Sequence, residues 1–439
     1  MGKSFIKDIN LIIMDIENCD YICGVRYVIF FISRILYSCK LRGFNILSNN
    51  FSNYKLLVNF HNDDANVFSD YEEFNLHCPS TEEKLYNLIS ANKDQSFLHT
   101  SHPAEFYELL LTSKEKKTLG QVYTPNEIIT KMLDQIFTIK AIDKTTRILD
   151  PSCGGGYFLI ELFKRIKKQF SGQITDKYII ENMIYGIDID DFSIFLSKVG
   201  LLFMSNLNHV NFNIFNMDFL IDSINMDKFD IIVGNPPYVG HKNSSTTYKK
   251  TLYENYPDVF YDKADISYCF FRKSNDLLAH DGIISFITSR YFMEALYADR
   301  LRKFLKKSFS IVCLQDYGGN KVFKDAMVSP AVVTLSNIVR NKNDLLFVKY
   351  NEHWHTSETF NYNQDKLSNS GWIILRSEEE QLFKRIESIS NSYVKDLCTI
   401  KQGIITGLDK AFIVNDEIIE KYNIESYLLK KWIKNSNIR

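Results

Sequence analysis

The chain has no C-x-x-C pair among its eight cysteines, and no His or Cys cluster completes a zinc site. Cys19 and Cys23 are the closest two, and the rest are scattered. Isolated cysteines of this kind read as buried thiols of a reducing cytoplasm. Long apolar runs are also missing. Val25 to Tyr37 is strongly apolar, but Arg26 and Arg34 interrupt it and it is too short to span a bilayer. It reads as a buried helix. Lys7, Asp8 and Asp15 break the opening stretch, so no signal peptide is expected. Net charge is nearly absent as well, at −1 from 52 basic and 53 acidic side chains. That excludes an overall positive field, so contact with nucleic acid has to come from local basic patches. No internal repeat and no low-complexity linker is visible.

What is present is a long, well-mixed sequence. Its 439 residues are enough for two or three domains with a sizeable core. With 45% hydrophobic and 24% charged residues, it has the composition of a soluble globular protein. The 33 phenylalanines and 25 tyrosines are first of all core material.

The most informative residues are Asn235-Pro236-Pro237-Tyr238. They follow the apolar run Phe229 to Gly234, which predicts a buried parallel strand. The tetrapeptide then occupies the turn at a strand's carboxyl end, where open α/β sheets bind ligands. Such a turn suits a planar exocyclic amine. The amine's lone pair is delocalised into its ring, which makes it a poor nucleophile. The Asn235 amide oxygen and the Pro236 carbonyl can each accept one of its N–H groups and free that lone pair. Proline fixes the backbone and has no N–H of its own. Tyr238 supplies a flat face for a base.

A second cluster lies upstream. Asp150-Pro-Ser-Cys153-Gly154-Gly-Gly156-Tyr-Phe158 follows the short strand Arg147–Asp150 and opens a helix. Glycines there admit a ligand close to the backbone, and a helix N-terminus presents unpaired N–H groups. The spacing departs from the dinucleotide fingerprint, because no glycine stands at the third place. The next strand ends at Asp188-Ile189-Asp190. Asp188 is expected to hold ribose hydroxyls, and Asp190 to cap the following helix. After the third strand, Asp218 is placed to accept an adenine amine, with Ile189 and Phe219 on either side of the ring.

Along the chain, residues 1–102 read as an accessory region without recognisable chemistry. From 103 to 345, strands and helices alternate. This predicts an α/β fold with a mostly parallel, Rossmann-like sheet covered on both faces. Ile128 to Phe137 and Phe158 to Ile166 show helical spacing. Residues 346–392 read as a connecting segment, loop-rich over 356–371 and helical from Glu378 to Ile389. A glycine-punctuated pattern from Lys401 to Phe412 marks 393–439 as the beginning of another domain.

Taken together, these residues resemble the N6-adenine DNA methyltransferases of the gamma arrangement, the TaqI-like and Eco57I-like enzymes. The likeness covers roughly 115–439. Gly120 to Pro125 is similar to that family's N-terminal cofactor motif, which implies that Tyr123, Thr124 and Pro125 border S-adenosylmethionine. Asp150 to Phe158 is similar to its glycine motif, and Asn235 to Tyr238 to its catalytic motif. Lys321-Val-Phe323 resembles the segment whose phenylalanine stacks on a flipped base opposite Tyr238. The stretch from Val239 through Asp265 and that from Gln402 to Phe412 resemble clostridial orphan enzymes of the CamA type. The resemblance implies a methyltransferase fold, S-adenosylmethionine as cofactor, no metal, double-stranded DNA as partner and a restriction-modification or orphan role. It further implies that Lys430 to Arg439 only opens the target-recognition domain, so that either the chain is a fragment or a separate polypeptide supplies the rest. Cytosine N4, RNA adenine and protein glutamine are other planar amines that suit the motif. A non-catalytic DNA-binding remnant is the reading from a different class. The insert after the motif places Lys242, Lys249, Lys250 and Lys263 among Tyr248, Tyr253 and Tyr256, a candidate phosphate-contacting loop.

Overall fold

The computed structural model of the chain describes residues 3–16, 20–41, 51–52, 66–69, 79–91, 102–112, 115–116, 124–205, 207, 209–238, 245–318, 329–338, 344–399 and 412–431. They fall into two units, 1–376 and 377–439. No described helix is long and apolar enough to cross a membrane.

The first unit is built on nine strands, in the spatial order β3-β2-β1-β4-β5-β7-β6-β8-β9. They are β1 Ile148–Asp150, β2 Ile184–Asp188, β3 Asn213–Asn216, β4 Phe229–Gly234, β5 Leu278–Ser289, β6 Ser310–Asp316, β7 Pro330–Ser336, β8 Asp344–Tyr350 and β9 Thr356–Asn363. The first five strands pair in parallel. β7 inserts antiparallel between β5 and β6. The expected α/β sheet is therefore present and mostly parallel, since β6 and β8 also pair in parallel.

Parallel neighbours need crossover helices, and the apolar periodicity supplies them. Tyr157–Phe170 joins β1 to β2, and Asp191–Ser205 joins β2 to β3. Successive strand residues face opposite layers. Ile231 and Val233 of β4 meet the helices Asn126–Ile139 and Tyr157–Phe170, whereas Ile232 meets the layer of Ser267–Leu277 and Asp299–Ser308. A third core joins the N-terminal helices Lys3–Met14, Tyr21–Leu41, Pro79–Ala91 and Pro103–Leu110 to the outer face of Asp191–Ser205. The apolar stretch Val25–Tyr37 is thus a buried helix.

The sheet runs on past residue 345. Residues 356–363, expected in a loop, form the antiparallel edge strand β9, with Phe360 opposite Phe347. An edge strand buries one face at most, and Phe360 and Tyr362 suffice for it. Its other face carries Thr, Ser and Glu, so composition alone reads as loop. Beyond it, Trp372 is buried in the core. The second unit begins with the helix Ser377–Ile389. The glycine pattern 401–411 and the segment 432–439 lie outside the described residues.

Arg302, fully buried, fastens this extension to the sheet. Its guanidinium donates to the carbonyls of Phe292, Ala295 and Asn369 at 2.7, 2.8 and 2.8 Å. Methionine matches the apolar stem but leaves three carbonyls without their donor. Arg302→Met is therefore expected to lower stability by on the order of 3 kcal/mol, read as a shift of the denaturant midpoint. An unchanged midpoint would contradict this role.

Candidate active site

The chain leaves β1 toward β2 and β3, then crosses back to β4 on the other side of β1. This reversal opens a crevice at the strands' carboxyl ends. A cavity of about 400 Å³ lies there. Thr124, Asp150, Cys153, Gly154, Asp188, Ile189, Asp218, Phe219, Asn235, Pro236, Pro237 and Tyr238 all line it. Five stretches up to 114 residues apart in sequence thus meet in one place. Tyr123 and Phe323 lie outside the described residues. Pro125 and Gly156 are not among the lining residues. Pro125 instead opens the helix Asn126–Ile139 as its cap. Gly156 stands behind the turn at φ +85°, where a Cβ would come within 2.8 Å of the Ser197 hydroxyl, so only glycine turns the chain into its helix.

The glycine turn is held from β2. Cys153 N–H donates to the Ile187 carbonyl at 2.9 Å. Gly154 N–H donates to Asp188 Oδ2 at 2.8 Å, and Asp190 N–H to Asp188 Oδ1 at 3.0 Å. Asp190 caps the next helix, accepting from the Ser193 N–H at 3.1 Å and hydroxyl at 2.8 Å. Burial pushes the Cys153 thiol well above its usual range, which leaves it unreactive.

Asp150 is almost fully buried, and among the described residues no basic side chain pairs with it. Burial, with Asp188 adding repulsion, raises its pKa well above the usual carboxylate range. Its Oδ1 accepts from the Ser152 N–H. It lies so close to β4 that a Cβ on Gly234 would come within 2.5 Å of Oδ1. At the other end of the crevice, Ile189 is 70% exposed while Phe219 is buried and stacked on Phe270. An apolar side chain left open beside a backed aromatic makes a slot for a flat ring. Asp218 caps the turn after β3, and its Oδ1 also receives the Tyr248 hydroxyl at 3.3 Å.

Asn235 stands at the end of β4. Its Nδ2 donates to the Thr124 hydroxyl at 2.9 Å, which fixes which way the amide points. Its Oδ1 accepts from the Tyr238 hydroxyl. Burial, with Asp265 nearby, raises the Tyr238 pKa well above the phenol range, so the hydroxyl remains a donor.

Sequence reasoning missed part of the wall. Ala104, Tyr107 and Glu108 of the helix Pro103–Leu110 line the cavity, as do Tyr157, Tyr248 and Phe270. Residues 103–110 form one short amphipathic turn of helix with no motif, so nothing local pointed to a ligand. The tyrosines of the insert turn inward. Tyr248 meets Asp218, Tyr253 donates to the Asp262 carbonyl and Tyr256 to the Leu220 carbonyl. Lys250 lies 3.9 Å from Glu254, and Lys263 lies over the Tyr297 ring. Lys242 lies outside the described residues. Tyr248 and Tyr256 thus hold the insert onto the turn after β3, and Tyr253 makes its contact within the insert.

Comparison with known proteins agrees with this geometry. The profile of the Eco57I restriction-modification methylase family matches residues 182–323, a span that contains Asn235 to Tyr238. The Type II methyltransferase M.BstVI of Geobacillus stearothermophilus is 24% identical over 359 residues, covering 71% of this chain and 63% of that protein. The Type II methyltransferase M.HindII of Haemophilus influenzae is 27% identical over 336 residues, covering 70% and 57%. This chain is similar in sequence to these Type II methyltransferases. It spans about three-fifths of the length of these two relatives. The crystal structure of a type I restriction-modification methyltransferase subunit from Streptococcus thermophilus superposes with a TM-score of 0.51 at 12% identity, over 89% of this chain and 94% of that one. The fold is thus a Rossmann-like methyltransferase fold.

The crevice suits the cofactor of that fold, S-adenosylmethionine. The unpaired buried Asp150 matches an ammonium group, half-buried Asp188 matches ribose hydroxyls, and the Ile189–Phe219 slot matches adenine.

Asp188 also sets a pH dependence. Burial raises its pKa from the ordinary 3.8 to about 6, against the pull of the backbone donors of Asp190, Gly154 and Ile189. The folded state thus holds this proton more tightly than the unfolded chain. That contribution is fully present below the unfolded value and is lost as pH rises through about 6. Asp188→Asn cannot titrate. Its melting temperature relative to the parent, both without ligand, is expected to rise between about pH 4 and about pH 7. A difference that stays constant across that range would contradict the assignment.

Proposed function

We propose that this protein is an adenine-N6 DNA methyltransferase of restriction-modification or orphan type, acting on double-stranded DNA with S-adenosylmethionine. One observation carries the reading. The Asn235 amide, oriented by Thr124, stands with Pro236 and Tyr238 on the same crevice as Asp150, Asp188 and Asp218. The order along the chain supports the gamma arrangement, since Thr124 comes first, then the glycine turn, then Asn235.

In this reading Asp150 faces the cofactor's ammonium group and Asp188 its ribose. Bound there, S-adenosylmethionine supplies an electrophilic methyl group whose sulfur leaves as a neutral thioether. The chain's own task is positioning. Adenine has to leave the duplex to reach Asn235, at a cost of a few kcal/mol in stacking and pairing. Its amine then takes the place of the Tyr238 hydroxyl at Asn235 Oδ1, while the Pro236 carbonyl accepts the second N–H. Thr124 keeps the Asn235 NH2 turned away, so that an oxygen and not a donor meets the amine. The Tyr238 ring is released to stack on the base, and Phe323 is the candidate for the opposite face.

The direct test incubates the protein with methyl-labelled S-adenosylmethionine and duplex DNA, followed by nucleoside analysis. N6-methyladenine is expected. Label in N4-methylcytosine, or label on RNA or protein alone, would overturn the assignment.

Two substitutions test the roles. Asn235→Ala is expected to abolish transfer while cofactor affinity stays within a few-fold, because the acceptor it removes faces the target amine. Tyr238→Ala should lose a base stack worth about 1–3 kcal/mol. Tyr238→Phe keeps the flat face and leaves Oδ1 open, so its rate should remain within about tenfold of the parent. If the phenylalanine variant fell as far as the alanine variant, the hydroxyl and not the ring would be the working part.

A further inference from the structure

We propose that Arg26, on a helix about a hundred residues before the cofactor turns, is a positioning residue for the cofactor crevice. The inference rests on reading that crevice as the S-adenosylmethionine site, and it gives the N-terminal helices a part in it.

The observations form a chain of contacts. Arg26 lies on Tyr21–Leu41, and its side chain is only one-fifth exposed. Nη2 is 2.6 Å from Asp190 Oδ1, and Nη1 is 3.4 Å from Asp191 Oδ1. The guanidinium also lies over the Phe192 ring, 5.2 Å from its centre. Asp190 in turn donates its N–H to Asp188, and Asp188 accepts from the glycine turn. The ribose-facing carboxylate is therefore connected through Asp190 to a cation supplied by the N-terminal layer. That layer reaches the crevice directly as well, through Ala104, Tyr107 and Glu108.

Electrostatics explains why a cation belongs there. Asp188, Asp190 and Asp191 crowd three carboxylates into four residues, and Asp190 already pushes the Asp188 pKa upward. Burial works against the charge on Arg26, yet Asp190 and Tyr107 together more than offset it and the net shift is upward. Arg26 thus stays charged. Without it, Asp190 and Asp191 repel each other and the Asp188 carboxylate beside them, and the turn that sets the Asp188 side chain opens. Arginine suits the position because its planar fork reaches both aspartates while its flat face packs on Phe192.

A purely structural ion pair would behave differently. Its loss lowers the melting temperature and the fraction of molecules able to bind, but those that fold bind with the parental Kd. Isothermal titration with S-adenosylmethionine separates the two, because it reports stoichiometry and Kd independently. Arg26→Ala is expected to raise Kd by about tenfold, within the range by which one site changes affinity at another. The maximal rate at saturating cofactor should stay within about twofold. Arg26→Gln keeps a hydrogen-bond donor for Asp190 but loses the charge, so it should raise Kd alike even if Arg26→Ala folds poorly. Asp190→Asn added to Arg26→Ala removes a carboxylate that Arg26 offsets, so the double variant should bind closer to the parent than Arg26→Ala alone. Lys84→Ala breaks an exposed pair with Asp15 in the same helical layer and should leave Kd unchanged. Parental Kd with reduced stoichiometry in both Arg26→Ala and Arg26→Gln would overturn the proposal while leaving the crevice reading intact. A parent protein that takes up no S-adenosylmethionine would overturn both.

Discussion

At the carboxyl end of β2, two backbone N–H groups converge on one carboxylate. Gly154 and Asp190 both donate to Asp188, and through it the turn after β1 is fixed to the turn after β2. The rest of the crevice depends on that junction. It sets how far the glycine turn stands from β4, where Gly234 leaves no room for a side chain beside Asp150. The arrangement is costly in the absence of ligand, because burial disfavours the ionised carboxylates it brings together. A cationic, hydroxyl-bearing ligand relieves that cost. This gives a physical reason for the unpaired Asp150, which a purely structural account leaves unexplained.

Much of this was legible in the sequence, for identifiable reasons. The apolar run Phe229–Gly234 could only be a doubly covered strand, and it is β4, paired on both sides. Glycine and proline restrict the backbone, so Asp150 to Gly156 and Asn235 to Tyr238 announced their turns. Asp190 as a cap followed from its place before a helix, and Ser193 satisfies it. What failed was of two kinds. β9 escaped because an edge strand needs only alternate apolar residues. The inward-facing tyrosines of the insert escaped because a tyrosine hydroxyl shows its partner only in three dimensions. Tyr256 reaches the Leu220 carbonyl, thirty-six residues away, and no spacing rule finds such a pair.

The N-terminal hundred residues illustrate the same limit from the other side. Arg26 and Arg34 looked like interruptions in an apolar helix, and the composition around them pointed only to burial. A half-buried arginine, however, has to find a partner, since an unpaired buried charge is far costlier than the loss of helix propensity. The partners of Arg26 lie 164 and 165 residues downstream. The sequence therefore held a question, where this charge goes, without holding the answer. Accessory helices without a motif can still take part in a site by supplying the counter-charge its carboxylates require.

The Asn235–Tyr238 hydrogen bond bears on how a target amine would be admitted. Without a base present, both ends of the Asn235 amide are satisfied, Nδ2 by Thr124 and Oδ1 by the Tyr238 hydroxyl. An amine arriving at Oδ1 exchanges one donor for another, so the net gain from that hydrogen bond alone is small. Affinity for the base must then come chiefly from its ring, through stacking on the tyrosine face released by the exchange. What Asn235 contributes is direction: an acceptor already pinned by Thr124 loses no further rotamer freedom when the amine arrives. The same side chain can thus matter little for holding the base and a great deal for aligning it, as expected where a site acts by positioning.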